Sequence, residues 1–292
     1  SGNHFKAIDD FTEAIRLNPD NAKYWFARGR SYRPLGVHSK AIQDFTEALR
    51  LQPDDANAFF NRGNSYAELG NHEAAMKDYT EAIRLRPDDA DGFSGRGSSH
   101  SQLGEYPKAI EDYTEAIRLQ PEYADAFYNR GLSHKRAGDN FKALDDFTEA
   151  IRLRPDYAGA FLDRGTSHSL LGSHSKAMED YNEAIRLQPD YAEAFYCRGL
   201  SYSDLGDYLK ARNDFTESIR FQPKHADAFY RRGLSYSDLG DYLKALDDCT
   251  EGIRLKPDHA NAFFRRGDIH VELGNHEAAI EDYTEAIRLQ PD

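Results

Sequence analysis

The apolar residues of this chain fall into paired helical stripes that return at a fixed interval. In the stretch from Ala226 to Leu239, small or apolar residues stand at Ala226, Phe229, Gly233 and Tyr236, the three- and four-residue spacing of one helix face. Gly240 follows, and glycine tolerates the left-handed backbone that closes a helix. Asp241 stands where a side-chain oxygen can accept from the free amides of a second helix. That second helix carries Ala245, Cys249, Gly252 and Ile253 on its buried side and is predicted to reach about Lys256. Pro257 forbids its continuation, and Asp258 is placed to cap the helix after it. The pattern predicts an all-α chain of helix pairs joined by short turns.

The interval is set most sharply by proline. Pro19, Pro53, Pro87, Pro121, Pro155, Pro189, Pro223, Pro257 and Pro291 are each 34 residues apart and make up nine of the eleven prolines. Between them recurs aromatic-x-x-Arg-Gly-x-x-Tyr (Phe229, Arg232, Gly233, Tyr236), then Ala245, the larger Cys249 and Pro257. A helix–turn–helix period of this length with these offsets resembles the tetratricopeptide repeat (TPR) family, along all 292 residues. The resemblance implies a right-handed superhelical solenoid of antiparallel helix pairs, each unit packed on its neighbours. One solenoid is expected over 1–292. Residues 1–21 supply only a second helix (Ala7, Phe11, Ala14, Pro19), and eight units follow at 22–55, 56–89, 90–123, 124–157, 158–191, 192–225, 226–259 and 260–292. The incomplete units at both ends fit a piece of a longer protein, or ends that pair with other copies.

Sterics explain the small residues: Ala226, Gly233, Ala245 and Gly252 sit where helix axes approach within about 8–10 Å. Pro107 falls in a first helical turn, where its missing amide costs little, and Pro34 is expected to shorten or bend a first helix. One position departs from the family pattern. Where the repeat usually has Leu before the Gly, all eight units carry Arg: Arg28, Arg62, Arg96, Arg130, Arg164, Arg198, Arg232 and Arg266. A half-buried guanidinium needs a carboxylate, and each second helix offers two, such as Asp248 and Glu251. These arginines are read as architecture.

Net charge is -13, which argues against nucleic acid or an anionic membrane surface as partner. The chain has no apolar run of membrane-spanning length. The two cysteines, Cys197 and Cys249, stand at unrelated offsets and there is no Asn-x-Ser/Thr acceptor. A reducing, cytoplasmic setting follows as the expectation.

No phosphate-binding, zinc-protease or nucleophile-elbow motif occurs, and Gly95-Arg96-Gly97 lies inside a predicted helix. No catalytic residue, metal or cofactor is therefore expected. His100, His134, His168 and His270 replace Tyr32, Tyr66, Tyr202 and Tyr236 in other units. Neighbouring units place such residues about 8–10 Å or more apart, too far for one metal, so they read as aromatic packing. Asp145-Asp146 and Asp247-Asp248 read as exposed helix-face charges.

The surface remains. The resemblance implies a concave groove lined by the first helices, with the fifth, sixth and ninth positions of each unit among those facing it. On that placement Tyr196, Leu200, Tyr230 and Leu234 form an apolar patch, with Tyr128 and Leu132 further back and Phe264 beyond. Asn61 and Asn129 at the sixth position could hold a peptide backbone, though Arg231 and others interrupt that series. Glu193, Asp204, Asp227 and Asp238 rim the patch, so an apolar segment with basic flanks suits it. At the other end Lys23, Arg30 and Arg33 make the groove basic. No unit pairs Lys at the fifth position with Asn at the ninth, as the family's carboxylate clamp requires. The expected function is a protein-interaction scaffold that binds a peptide in its groove. The rivals are a substrate-recruiting arm of a larger enzyme and a self-assembling scaffold.

Overall fold

The computed structural model describes residues 2–291. Ser1 and Asp292, the outermost positions of the predicted half repeat and last unit, lie outside the described residues. The chain divides into two compact units, Ser1–Pro155 and Asp156–Asp292. The first contains α1 (Gly2–Leu17), α2 (Ala22–Tyr32), α3 (His38–Leu51), α4 (Ala56–Glu68), α5 (His72–Leu85), α6 (Ala90–Gln102), α7 (Tyr106–Leu119), α8 (Ala124–Arg136) and α9 (Asn140–Leu153). The second contains α10 (Ala158–Leu170), α11 (His174–Leu187), α12 (Ala192–Asp204), α13 (Tyr208–Phe221), α14 (Ala226–Asp238), α15 (Tyr242–Leu255), α16 (Ala260–Glu272) and α17 (His276–Leu289). The described residues include no strand. Within each unit even-numbered first helices alternate with odd-numbered second helices, and each packs on the helix before and after it.

The turns follow the sequence closely. Gly240 has φ +79°, a conformation that costs a Cβ-bearing residue energy. Asp241 then accepts from the Lys244 amide at 3.4 Å. Pro107 lies in the first turn of α7. Pro34 stops α2 early: the helix ends at Tyr32 and a short 3-10 turn, Arg33–Leu35, completes the segment. One expectation is corrected. Asp258 does not cap α16, because Pro257 and Asp258 occupy the turn before it. The cap is His259, whose Nδ1 accepts from the Ala262 amide at 3.3 Å.

The buried stripe also differs from its sequence reading. In α14 the fully buried residues are Ala228 and Ser235, with Gly233 between them, while Ala226, Phe229 and Tyr236 stay half-buried. A first helix is covered both by its own second helix and by its neighbours, so its hidden sector is wider and rotated from the aromatic stripe. Ser235 is tolerated there because its hydroxyl donates to the Arg231 carbonyl one turn back, at 3.1 Å, and needs no outside partner. Ser65, Ser133 and Ser167 are buried and bonded in the same way. Gly233 answers a close approach: a Cβ there would lie 3.0 Å from the Cys249 Sγ and 3.2 Å from the Ala245 carbonyl oxygen. Both cysteines are free and buried. Burial pushes the Cys249 thiol up to about 12.

Candidate peptide-binding face

The face that the first helices present is held in register by the arginine of each unit. Arg232 donates from Nε and Nη2 to the two oxygens of Asp248, each at 2.7 Å. Its Nη1 reaches Thr216 of the preceding repeat at 3.4 Å, and its guanidinium lies over the Phe229 ring at 5.5 Å. In the first unit Arg28 does the same with Asp44, Thr12 and Trp25. The fork geometry of guanidinium on carboxylate is bidentate and directional, so the pair fixes the angle between helices as well as joining them. The expected carboxylate partner is therefore found, in the arginine's own repeat. Glu251 is taken instead by Arg254, at 2.6 Å. Asp78, by its hydrogen bonds, holds the Arg62 guanidinium above its usual range.

This corrects the reading of the acidic doublets. Asp146 and Asp248 are buried members of these pairs, 4% and 6% exposed, and only the first residue of each doublet remains a surface charge. The histidines stand beside the same pairs. His134 Nε2 is 4.0 Å from Asp146 and His270 Nε2 is 3.9 Å from Asp282. Burial lowers the pKa of His134 and of His168. Among the described residues no group of three or more His, Cys, Asp or Glu is placed to hold a metal.

In the second unit, Tyr196 is half-buried, with its ring 4.6 Å from His225 and 5.8 Å from Phe215. Leu200 is half-buried as well. Tyr230 is covered further, at 8% exposed, with Ile253 and Ala262 around it and Leu234 packed against that cluster. Its ring lies 4.8 Å from His259. The structure thus brings Tyr230 and Leu234 together but makes the Tyr230 ring a packing element. Its hydroxyl lies near Arg265. Arg231 lies against the Tyr196 hydroxyl in the same manner and 5.6 Å from the Tyr230 ring. Burial raises the pKa of both tyrosines. Phe264 is 48% exposed. Of the acidic rim, Asp227 is engaged by His259 at 3.2 Å, while Glu193, Asp204 and Asp238 are exposed.

The first unit repeats the tyrosine–leucine pair on α8 and is more polar elsewhere. Tyr128, Asn129 and Leu132 are half-buried on α8, the Tyr128 ring 5.8 Å from Phe147. Asn61 has both polar ends committed: Oδ1 accepts from Arg33 at 2.7 Å and Nδ2 donates to the Asn57 carbonyl at 2.8 Å. That partner was not foreseen, because Arg33 reaches Asn61 only once Pro34 has turned the end of α2. On α6 the fifth, sixth and ninth positions are Ser94, Gly95 and Ser98. The Tyr79 ring fills the space at Gly95, where a Cβ would come within 2.7 Å.

Repeat models match along most of the chain. A model described as TPR repeat matches residues 29–70, 97–138 and 168–206. Models described as tetratricopeptide repeat match 56–89, 124–157, 196–259 and 230–292. The chain belongs to the tetratricopeptide repeat family. No curated protein sequence matches it.

Solved TPR structures share its fold. A TPR protein from Parabacteroides merdae is 18% identical with a TM-score of 0.65, over 91% of this chain and 98% of that one. The Cut9–Hcn1 structure is 17% identical with a TM-score of 0.65, over 97% of this chain, which spans 56% of the other. YrrB, described as a TPR protein with an unusual peptide-binding site, is 24% identical with a TM-score of 0.54, over 64% of this chain and 97% of its own. At these identities the likeness concerns the TPR fold. Among the described residues, no helix of this TPR chain is long and apolar enough to cross a membrane.

Proposed function

We propose that this TPR protein is a protein-interaction scaffold and that the first-helix face of its second unit, in the groove position, takes an extended or helical peptide segment. The observation that carries this is the grouping of half-buried Tyr196, Leu200 and Leu234 beside Arg231, whose guanidinium has no carboxylate partner among the described residues. Apolar side chains left partly open on a rigid frame gain by being covered, and preformed helices lose little entropy on binding. Tyr196, Leu200, Leu234 and Phe264 act as apolar contacts. Arg231 and the Tyr230 hydroxyl contact the peptide backbone. Glu193, Asp204 and Asp238 favour basic flanks. Tyr128, Asn129 and Leu132 serve the first unit alike, and Asn61 contributes through Arg33. YrrB supports the reading as a TPR protein with a peptide-binding site. The test is selection of a peptide library on the whole chain, then titration of the selected peptide. Tyr196→Ala with Leu234→Ser should weaken it at least about tenfold with helical circular dichroism unchanged. Undiminished binding would move the site elsewhere.

A further inference from the structure

The first repeat departs from all the others at three positions that converge on one cavity. Arg30 and Pro34 recur at the equivalent position of no other unit, and at the position of Arg33 only Lys135 is also basic; Asn64, Ala67 and Glu68, for example, stand in the second repeat. Pro34 ends α2 and sets Arg33 in the 3-10 turn that follows. There Arg33 and Arg30 line a cavity of about 550 Å3 together with Gly36, His38 and Glu68. Arg33 is half-buried. Its Nη1 donates to Asn61 and its Nε is buried without an acceptor among the described residues. Neither arginine forms an ion pair there, although every frame arginine, at the position just before the repeat's glycine, does so in the units shown above.

Two neighbouring guanidinium groups with no carboxylate in ion-pair contact among the described residues are unusual in a chain of net charge -13. Burial is the main cause that lowers the pKa of Arg33; Tyr79 and Glu68 oppose it, and the charge of Arg30 adds to it. A buried donor left unpaired costs about 1–3 kcal/mol, so an occupant that supplies an acceptor stabilises the site. With His38, whose Nδ1 is also buried without a partner among the described residues, counted as neutral, two arginines against the one carboxylate of Glu68 leave a single positive charge, which a monoanion neutralises and a dianion overfills. A second cavity of about 300 Å3 shares Arg30 and Pro34 and is lined also by Phe26 and Ala27. It offers apolar surface beside the Arg30 guanidinium, which lies 5.9 Å from the Phe26 ring.

We propose that Arg30 and Arg33 form a carboxylate-binding site for a peptide in which an apolar residue adjoins a single carboxylate group, the apolar side chain resting on Phe26 and Pro34. The inference rests on the peptide-binding reading and gives that reading its chemistry at the first repeat. Arg33 supplies the directional donors that Asn61 holds in place, and Arg30 adds a second charge from the exposed side. Glu68 discriminates against more highly charged anions.

The test uses the full chain and small probes, so its failure leaves the library selection at Tyr196 and Leu234 unaffected. N-acetyl-leucine, which joins one carboxylate to one apolar side chain, is titrated against 15N-labelled protein while the arginine Nε–H signals are followed. The expected result is a saturable shift of the Arg33 and Arg30 signals, absent with N-acetyl-leucinamide. Inorganic phosphate should bind at least about tenfold more weakly. Arg30→Gln and Arg33→Gln, checked for unchanged helicity, should each weaken the carboxylate about tenfold. Three results would overturn the proposal: no saturable shift in the unaltered chain, an equal response to the amide, or unaltered binding in folded variants. Phosphate binding as tightly as N-acetyl-leucine would overturn the monoanion assignment.

Discussion

The two units share one frame and present different faces. In both, an arginine of the first helix grips an aspartate of the second, as Arg28 grips Asp44 and Arg232 grips Asp248. On that frame both offer a tyrosine–leucine pair, Tyr128 with Leu132 and Tyr196 with Leu200, but the first adds Arg30, Arg33, Asn64, Ser94 and Ser98, whereas the second adds Leu234 and Phe264. The frame positions are fixed because they are buried and paired. The face positions vary in size, and where one is small a neighbour fills the space, as the Tyr79 ring does at Gly95. Function in this chain is therefore sought in what changes from repeat to repeat, and stability in what does not.

The largest expected effect tests whether the frames are equivalent. Burial holds the Cys249 proton to about 12 in the folded chain, against 9.0 for an unburied thiol. Between those values the unfolded chain binds fewer protons than the folded one, so stability is intact below the lower value and falls as pH rises toward the upper. Buried Tyr79 and Tyr113 in the first unit, and Tyr181 in the second, are shifted upward by burial too. Alkaline titration followed by circular dichroism should therefore melt both units. Survival of the helical signal throughout that range would show that these groups ionise without unfolding.

Next come the ion pairs. Asp44→Ala and Asp248→Ala each strand a half-buried guanidinium, 15% and 16% exposed, and should cost up to about 3 kcal/mol, measured by urea unfolding. A cost confined to one of them would break the idea of a common frame. Gly131→Ala and Gly199→Ala probe the helix approach, where the new Cβ would lie 2.7 Å from the Phe147 ring and 2.8 Å from the Phe215 ring. Overpacking of this kind costs about 1–3 kcal/mol, and matching losses would equate the two units at this level also.

Caps give the smallest effects. Asp55 accepts from the amides of both Asn57 and Ala58, so Asp55→Ala should cost about 1 kcal/mol. Asn71, Asp139 and Asp207 cap second helices through their side chains, while Ser173 makes no such bond. Ser173→Asp should gain about 0.5 kcal/mol, read as a higher midpoint in urea. No gain would mean that the helix-start geometry at Ser173 differs from that of the other units.

Much of this was legible in advance because it is local. Proline spacing and the glycine turns announced the helix pairs, and Arg232 announced the need for a carboxylate. The choice of Asp248 over Glu251 was not legible, since both lie on the same helix and only the approach of the two helices decides which oxygen is near. Ser235 was missed because hydroxyls read as polar, and its bond to its own helix is invisible in a pattern of apolar residues. The candidate site divided along the same line: Tyr196 and Leu200 stand half-buried at positions the repeat pattern names, but the burial of Tyr230 depends on His259, which caps the following helix. Asn61 looked available, and its capture by Arg33 depends on the turn that Pro34 imposes.

The sequence by itself determined the repeat, its helices and their ends, because turn chemistry and helical periodicity act over a few neighbouring residues. Only the tertiary structure decided which aspartate each arginine holds, which tyrosine ring stays open and that Arg30 and Arg33 share a cavity. Those outcomes depend on distances between helices, which packing of the whole unit sets.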